Sequence, residues 1–532
     1  MSNENLQSQG DSGHADSHRS IIRSMSIMSL GTLSSRILGF LRDIVLAKFF
    51  GTGFQADAFF VAFKIPNLFR DFVGEGATNS AVVPVFNEYL VKKERAEFWQ
   101  FVNVVMIYAL MALSVITVAG ILLAPWIVRI IAPGFMVDPG KLELTIRLTK
   151  LMFPYLILIG LTAHSMAVLF TFRSFVAPAF APCFLNIAII ISALFATKYM
   201  DHPIYGLAAG VLAGGILQLL FQVRPLLRTG VQFRRPKTLI HPGAIQIGRL
   251  LVPRMMGAGV YQLTVLVDTF CASLAMIVGA GGISAIYYSN RIIQFPMGIF
   301  TIALASAVLP TLSGHATNKN ISQLKTTLVF TLENIFFLLF PTSIMVMILA
   351  HPVIAALFQR GEFGRYSTEI TSMALFWYAS GLFSFGGIKI LVTAFHALQD
   401  TKTPVAVAAV CLVVNALLNF ILMYPLKIGG IALATSIAAT LDFLMLYYFL
   451  ERKIGRLRGG LMMFVGKVLT ATAVTGAAVS GMWSQLPVPQ IALKLALTGL
   501  GGFILYGILC YALKIQQARK IYQWLKTLGS KQ

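Results

Sequence analysis

The chain has 532 residues, of which 57% are hydrophobic and only 12% charged, and its mean hydropathy is +0.78. So few charges could not cover the surface of a water-soluble protein, and apolar runs long enough to cross about 30 Å of hydrocarbon recur along the chain. These runs are continuous rather than alternating, which excludes a β-barrel. The net charge of +22 sits mainly in short connectors between apolar runs, with no aromatic-interleaved basic patch. It reads as membrane orientation, with no nucleic-acid partner. Cys183, Cys271, Cys411 and Cys510 stand singly in apolar segments without a CxxC pair, so neither a disulfide framework nor a zinc site is expected.

Residues 1–22 are polar, lack the apolar core of a cleavable signal and read as a disordered cytoplasmic tail. Apolar blocks then follow at 24–50, 55–90, 98–132, 143–172, 177–197, 204–227 and 245–279. Seven more lie at 282–312, 322–357, 367–397, 403–424, 429–450, 461–484 and 490–513. The fold class expected is an all-α polytopic membrane protein of about 14 transmembrane helices. The second block is interrupted at Pro66 and again at Gly74–Gly76, a break that hydrocarbon tolerates only where the freed backbone faces protein or water. Residues 514–532 form a basic cytoplasmic tail.

Charge orients these spans. Lys92, Lys93 and Arg95, then Arg224, Arg228, Arg234, Arg235 and Lys237, then Arg452, Lys453, Arg456 and Arg458 all follow even-numbered spans. The opposite connectors hold few basic residues, chiefly Lys141, Lys198, Arg360, Arg365 and Lys427. An even number of spans with both termini cytoplasmic satisfies the positive-inside rule. The chain also repeats itself. Pro66 in KIPNLF pairs with Pro296 in QFPMGIF, Pro84 with Pro310, Asn186 with Asn415, and Gly206 with Gly430. All four separations fall between 224 and 230 residues. Two six-helix lobes, 23–232 and 233–455, are therefore expected in a parallel repeat, with a C-terminal helix pair at 456–513. Two lobes around one site describe alternating access better than a channel pore.

Arg36, Arg42, Arg70 and Arg291 fall inside spans, where a charge on a lipid-facing position is costly. They are expected to face a hydrated interior. Asp43, seven residues after Arg36, and Asp71, next to Arg70, are candidate structural partners, whereas an anion is the candidate ligand. Arginine suits phosphate because its planar fork donates two parallel hydrogen bonds and keeps its charge when desolvated. No Walker A loop, HExxH, GxSxG or GxGxxG after a strand occurs, so no enzyme is expected.

SSRILGFLRD (34–43), ADAFFVAFKIPNLFR (56–70), GEGATNSAVVP (74–84), YSNRIIQFPMGIF (288–300), LFQRGEF (357–363) and AFHALQDTKTP (394–404) resemble the MurJ (MviN-type) lipid II flippases of the MOP exporter superfamily. The resemblance runs from about residue 24 to the C-terminus. It implies movement of lipid II, an undecaprenyl-diphosphate-linked peptidoglycan precursor, across the bacterial inner membrane to the periplasmic leaflet. It also implies cavity arginines at Arg36, Arg42, Arg70 and Arg291, acidic partners at Asp43 and Asp57, and Glu75 beside the gate. The last helix pair is similar to the family's groove for the lipid tail. Membrane lipids and cell-wall synthesis proteins are implied partners. Some relatives hold sodium as a coupling ion, and the matching positions here are Asp268, Asn415, Asn419 and Thr435. Asn419 stands where such sites carry an acid, which removes one charge. The alternatives are a flippase for another undecaprenyl-diphosphate-linked oligosaccharide and a MATE-like ion-coupled exporter. A cationic cavity disfavours drug cations.

Overall fold

The computed structural model describes residues 4–70, 77–233, 238–457 and 460–529, and every element among them is helical. Ten segments are long and apolar enough to cross a membrane, and an eleventh arises if Arg365–Ser380 and Leu382–Ala397, bent by 47°, count as one. The expected blocks at 24–50, 55–90 and 245–279 are not among those segments. α1 (Glu4–Phe50) carries Arg36, Arg42, Asp43 and Lys48. α2 (Phe54–Arg70) is 17 residues long and α3 (Ala77–Lys92) resumes beyond 71–76, which lie outside the described residues. α9 (Pro242–Ser273) carries Arg249, Arg254 and Asp268. The segment expected as a disordered tail is helical from Glu4: α1 contains no proline, and an established helix extends at one hydrogen bond per residue.

The chain forms two compact units. The first comprises residues 1–49, 58–130 and 136–259. It contains α4 (Arg95–Ile131), α5 (Pro139–Met152), α6 (Tyr155–Thr171), α7 (Val176–Tyr199) and α8 (Pro203–Arg228) besides most of α1, α2 and α3. α7 and α8 approach closely because Gly206, Gly210 and Gly214 recur every fourth residue on one face. A Cβ at any of them would lie 2.4 to 2.7 Å from Ala196, Ser192 or Leu185. α1 docks on α7 in the same manner at Gly31, where a Cβ would meet the Ala179 carbonyl at 2.5 Å. Phe86, Phe98, Trp99 and Phe101 make an aromatic core with Leu226 and Ile247. The strand of chain leaving α8 is tied back onto α4: Arg95 donates to the Thr229 carbonyl, Asn103 to Gln232 and Tyr108 to Leu239. His241 stacks on Phe101, and burial pushes its imidazole below the usual range.

The second unit comprises residues 50–57, 131–135 and 260–532. α10 (Ala275–Val278) is followed by α11 (Gly282–Pro296), then by a π-helical turn at Met297–Ile302 directly after Pro296, and then α12 (Ala303–Thr317). The proline removes one N–H from the ladder, and the wider turn absorbs the defect. α13 (Ile321–Ile348), α14 (Ala350–Phe358), α15 (Arg365–Ser380) and α16 (Leu382–Ala397) precede the hairpin of α17 (Lys402–Leu426) and α18 (Ile428–Ile454). α18 packs against α11, α15, α16 and α17. The final pair, α19 (Gly460–Gln485) and α20 (Ile491–Ala512), leans on α13, where the Tyr506 hydroxyl donates to the Phe337 carbonyl at 2.9 Å. α21 (Gln516–Gly529) follows α20 and packs against it.

Candidate functional site

The arginines predicted from sequence fare differently. Arg36 is exposed on α1. Arg42, six residues on, is 7% exposed and sits against Asp43, which is fully buried. Its Nε and Nη2 both donate to Asp43 Oδ1, at 3.0 and 2.7 Å, and its Nη1 donates to Asn186 Oδ1 at 3.1 Å. Asn186 in turn donates to the Ser35 carbonyl at 3.1 Å, so the cluster fastens α1 to α7. Asp43 therefore partners Arg42 rather than Arg36. The search for an acid three or four positions away, the usual neighbour on a helix face, misses this pair because the long arginine side chain doubles back on its own neighbour. Arg291 is half-buried on α11. Arg70 ends α2 with its side chain outside the described residues, and Glu75 lies outside them altogether.

Asp57, expected among the cavity's acidic partners, belongs to the second unit. Its Oδ1 accepts from the Ser284 N–H at 2.9 Å and from Ser284 Oγ at 2.6 Å. Ser284 is in the first turn of α11, whose N-cap Gly281 has no side chain to offer. Asp57 thus caps α11 from another helix, with its negative charge at the positive end of the dipole.

The four positions named for sodium do converge. Asn419 Nδ2 donates to Asp268 Oδ1 at 2.8 Å and to Asn415 Oδ1 at 3.2 Å. Asn415 Nδ2 donates to Thr435 Oγ1 at 3.2 Å, and Thr435 Oγ1 donates to Asp268 Oδ2 at 3.1 Å. Asn419 Oδ1 is buried without a hydrogen bond. Five side-chain oxygens from three helices, one orphaned and two from a single carboxylate, fit a hard monovalent cation, with the amide of Asn419 free in chemistry to present either end.

The internal repeat links this ring to the arginine cluster. Asp43 and Asp268 are 225 residues apart, and Asn186 and Asn415 are 229 apart. In the first copy the acid is preceded by Arg42, whose guanidinium supplies the positive charge; in the second it is preceded by Val267. Sequence reasoning registered Asn186 only as a repeat landmark and overlooked Asp442, an acid in the middle of α18. The signal was available: one carboxylate inside an apolar span.

A model of the family described as lipid II flippase MurJ matches residues 46–495. A Vibrio cholerae protein named as a probable lipid II flippase MurJ is 35% identical over 497 residues, covering 90% of this chain and 94% of its own length. A Burkholderia cenocepacia lipid II flippase MurJ is 33% identical over 503 residues, covering 92% and 97%. Among solved structures, a lipid II flippase MurJ in an inward closed conformation superposes with a TM-score of 0.78 at 25% identity, over 91% of this chain and 98% of that one. An inward-facing MATE transporter of the MOP superfamily shares the fold at a TM-score of 0.66 and 15% identity, over 82% of this chain and 98% of that one. The chain belongs to the MurJ family of lipid II flippases.

Proposed function

We propose that the protein moves lipid II from the cytoplasmic to the periplasmic leaflet of a bacterial inner membrane by alternating access, with a cationic central cavity taking the diphosphate. The observation that carries this reading is family membership along nearly the whole chain. A fourteen-span topology with both termini cytoplasmic completes it. Fourteen follows if the bent pair α15–α16 is one span, making eleven, and α1, α2–α3 and α9 cross as well.

Within the set Arg36, Arg42, Arg70 and Arg291, the roles divide by what each group already holds. Arg42 is engaged by Asp43 and Asn186, so it positions α1 and contributes a fixed field rather than a free fork. Arg36, exposed on the same helix, is the group on α1 that meets the diphosphate. It would form paired N–H bonds to phosphate oxygens that lose their water on leaving the leaflet. α19 and α20 would carry the polyprenyl tail.

Coupling draws on the membrane voltage, worth about 2.3 kcal/mol per charge per 100 mV, or on a cation at Asp268, Asn415, Asn419 and Thr435. Such a cation would supply the positive charge that Arg42 supplies covalently to Asp43. The function is tested by expressing the chain in a bacterium depleted of its own lipid II flippase and reading the leaflet distribution of lipid II. Growth rescue with lipid II appearing outside is expected. Rescue of an O-antigen flippase mutant instead would transfer the substrate to another lipid-linked oligosaccharide.

A further inference from the structure

α18 is a 27-residue span with an acid at its centre: Asp442 stands fourteen residues after Ile428 and twelve before Ile454. Its side chain is half-buried, its Oδ1 is fully enclosed, and it makes no hydrogen bond or ion pair among the described residues. Two helices bring acids rather than a counter-charge: α9 meets α18 through Asp268 at Thr435, and α13 through Phe336 at Phe443, with Glu333 one turn before Phe336. α17 brings Cys411, close enough to interact electrostatically with Asp442, and its one cation, Lys402, is at its first residue. α16 meets this stretch through Ser384, hydrogen-bonded to Thr440, and through Gly387 against Phe443; its Lys389 points to the exterior. α15 contributes Trp377 and Tyr378 one turn or more away, at Ser436, and carries Arg365 and Glu369 at its far end. α11, which bears Arg291, reaches α18 at Ile428, where Gly282 packs. On α18 itself, Tyr447 and Glu451 lie one and two turns further on.

The repeat supplies the comparison that gives this acid meaning. At the 224-residue separation that pairs Gly206 with Gly430, Asp442 pairs with Gln218 of α8, and the small residues Gly210, Gly214 and Gly215 pair with Ala434, Ala438 and Ala439. Gln218 is likewise buried with its Oε1 unsatisfied. The same niche is thus filled in one copy by a neutral amide and in the other by an ionisable acid. Packing does not require the carboxyl; something else does.

We propose that Asp442 is a proton-binding site, protonated while its niche is closed and releasing the proton to water when transport hydrates the α17–α18 seam. A proton needs no preformed cage, unlike a metal ion, and it removes the charge that hydrocarbon disfavours. The step balances simply: a carboxylate oxygen takes H⁺ from hydronium to give carboxylic acid and water, and the reverse returns it. This rests on the reading of the protein as a lipid II transporter, and it names proton exchange as a part of that cycle.

The test uses the full-length protein in two assays. In proteoliposomes with the voltage clamped at zero, lipid II translocation should change by up to about tenfold per unit of imposed pH gradient for one proton per cycle. Asp442→Asn, which mimics the amide of the first copy, should flatten that dependence, and Asp442→Glu should restore it. In detergent, the infrared carboxyl band that appears on acidification should be lost in Asp442→Asn. Unchanged gradient dependence in Asp442→Asn, or an infrared band that survives the substitution, overturns the proposal. If the parent protein moves no lipid II, the transport reading fails, and the infrared band alone then decides whether Asp442 takes up a proton.

Discussion

Arg42 shows how far a residue-level reading of sequence reaches. Its cost in a span was legible, and so was the need for a partner, but the partner itself was not, because side-chain conformation decides between an anion and Asp43. Geometry now separates Arg42 from Arg36. Removing one member of a buried ion pair strands the other, a loss of about 3–5 kcal/mol. Arg42→Ala should therefore lower the thermal unfolding temperature in detergent sharply, and Asp43→Ala should do the same. The double substitution should cost less than the two singles together, since no buried charge is left alone. Arg36→Ala, at an exposed position, should stay within about 0.5 kcal/mol of the parent and lose translocation instead. An Arg42→Ala protein as stable as the parent would return Arg42 to the substrate. Asp57, to which the resemblance gives a cavity role, also caps a helix through Ser284. Asp57→Ala should cost about 1–2 kcal/mol, as loss of a charged cap does, read by the same unfolding assay, with Asp57→Asn milder because an amide oxygen still accepts from Ser284.

At the scale of elements, the boundaries of the apolar spans were legible because continuous apolarity is a property of composition. The way the helices seat against one another is partly so. Glycines every fourth residue in α8 announce a close seam, yet only the structure shows which neighbour fills each notch. Leucine at Gly210 must displace Ser192, an overpacking cost of about 1–3 kcal/mol. Leucine at Gly248, with nothing within 4 Å, should leave the unfolding temperature of the detergent-solubilised protein unchanged. Equal effects at the two sites would mean that the seam yields. The start of α17 offers a pH-dependent test. Asp400 caps it through the Thr403 N–H and hydroxyl and also binds Lys453 at the end of α18, at 2.7 Å. Burial pushes this carboxyl up, but Lys453 and Thr403 together outweigh burial and hold it at about 2. A carboxyl depressed below its unfolded value of about 4 stabilises the fold fully above that pH, and the contribution fades as pH falls toward 2. The gap in unfolding temperature between parent and Asp400→Asn should be constant from pH 7 to about 5, narrow below about pH 4 and close at about pH 2. A gap that persists at low pH would show that the cap, not the charge, carries the effect.

For the whole molecule, the repeat was the most informative feature of the sequence, since it converted scattered residues into corresponding pairs. Asp43 with Asp268, and Gln218 with Asp442, acquire meaning only through that correspondence. Topology is the property that follows most directly from it and is open to a decisive experiment. Among the described residues ten or eleven segments are long and apolar enough to cross; fourteen requires α1, α2–α3 and α9 to cross as well. The two counts predict different sidedness. With fourteen, Asp201 and Glu362 face the periplasm, whereas Gln232, tied through its carbonyl to Asn103, faces the cytoplasm. All three are exposed, so a cysteine at each is accessible from its own side. In a background without the four native cysteines, an impermeant maleimide added to intact cells should label cysteine at 201 and 362. It should label cysteine at 232 only after the membrane is opened. If α1 and the interrupted α2–α3 failed to cross, an even number of crossings would be lost upstream and all three sites would keep their sides. Loss of α9 alone is odd, so it would invert 362 relative to 201. The comparison of 201 with 362 therefore reports on α9, and cysteines at Gly53 and Lys92 complete the set by reporting on α1 and α2–α3. Periplasmic labelling at 53 with protection at 92 is the fourteen-span outcome; labelling of both in intact cells would leave α2–α3 outside the bilayer core, and labelling of neither would leave α1 and α2–α3 both outside it.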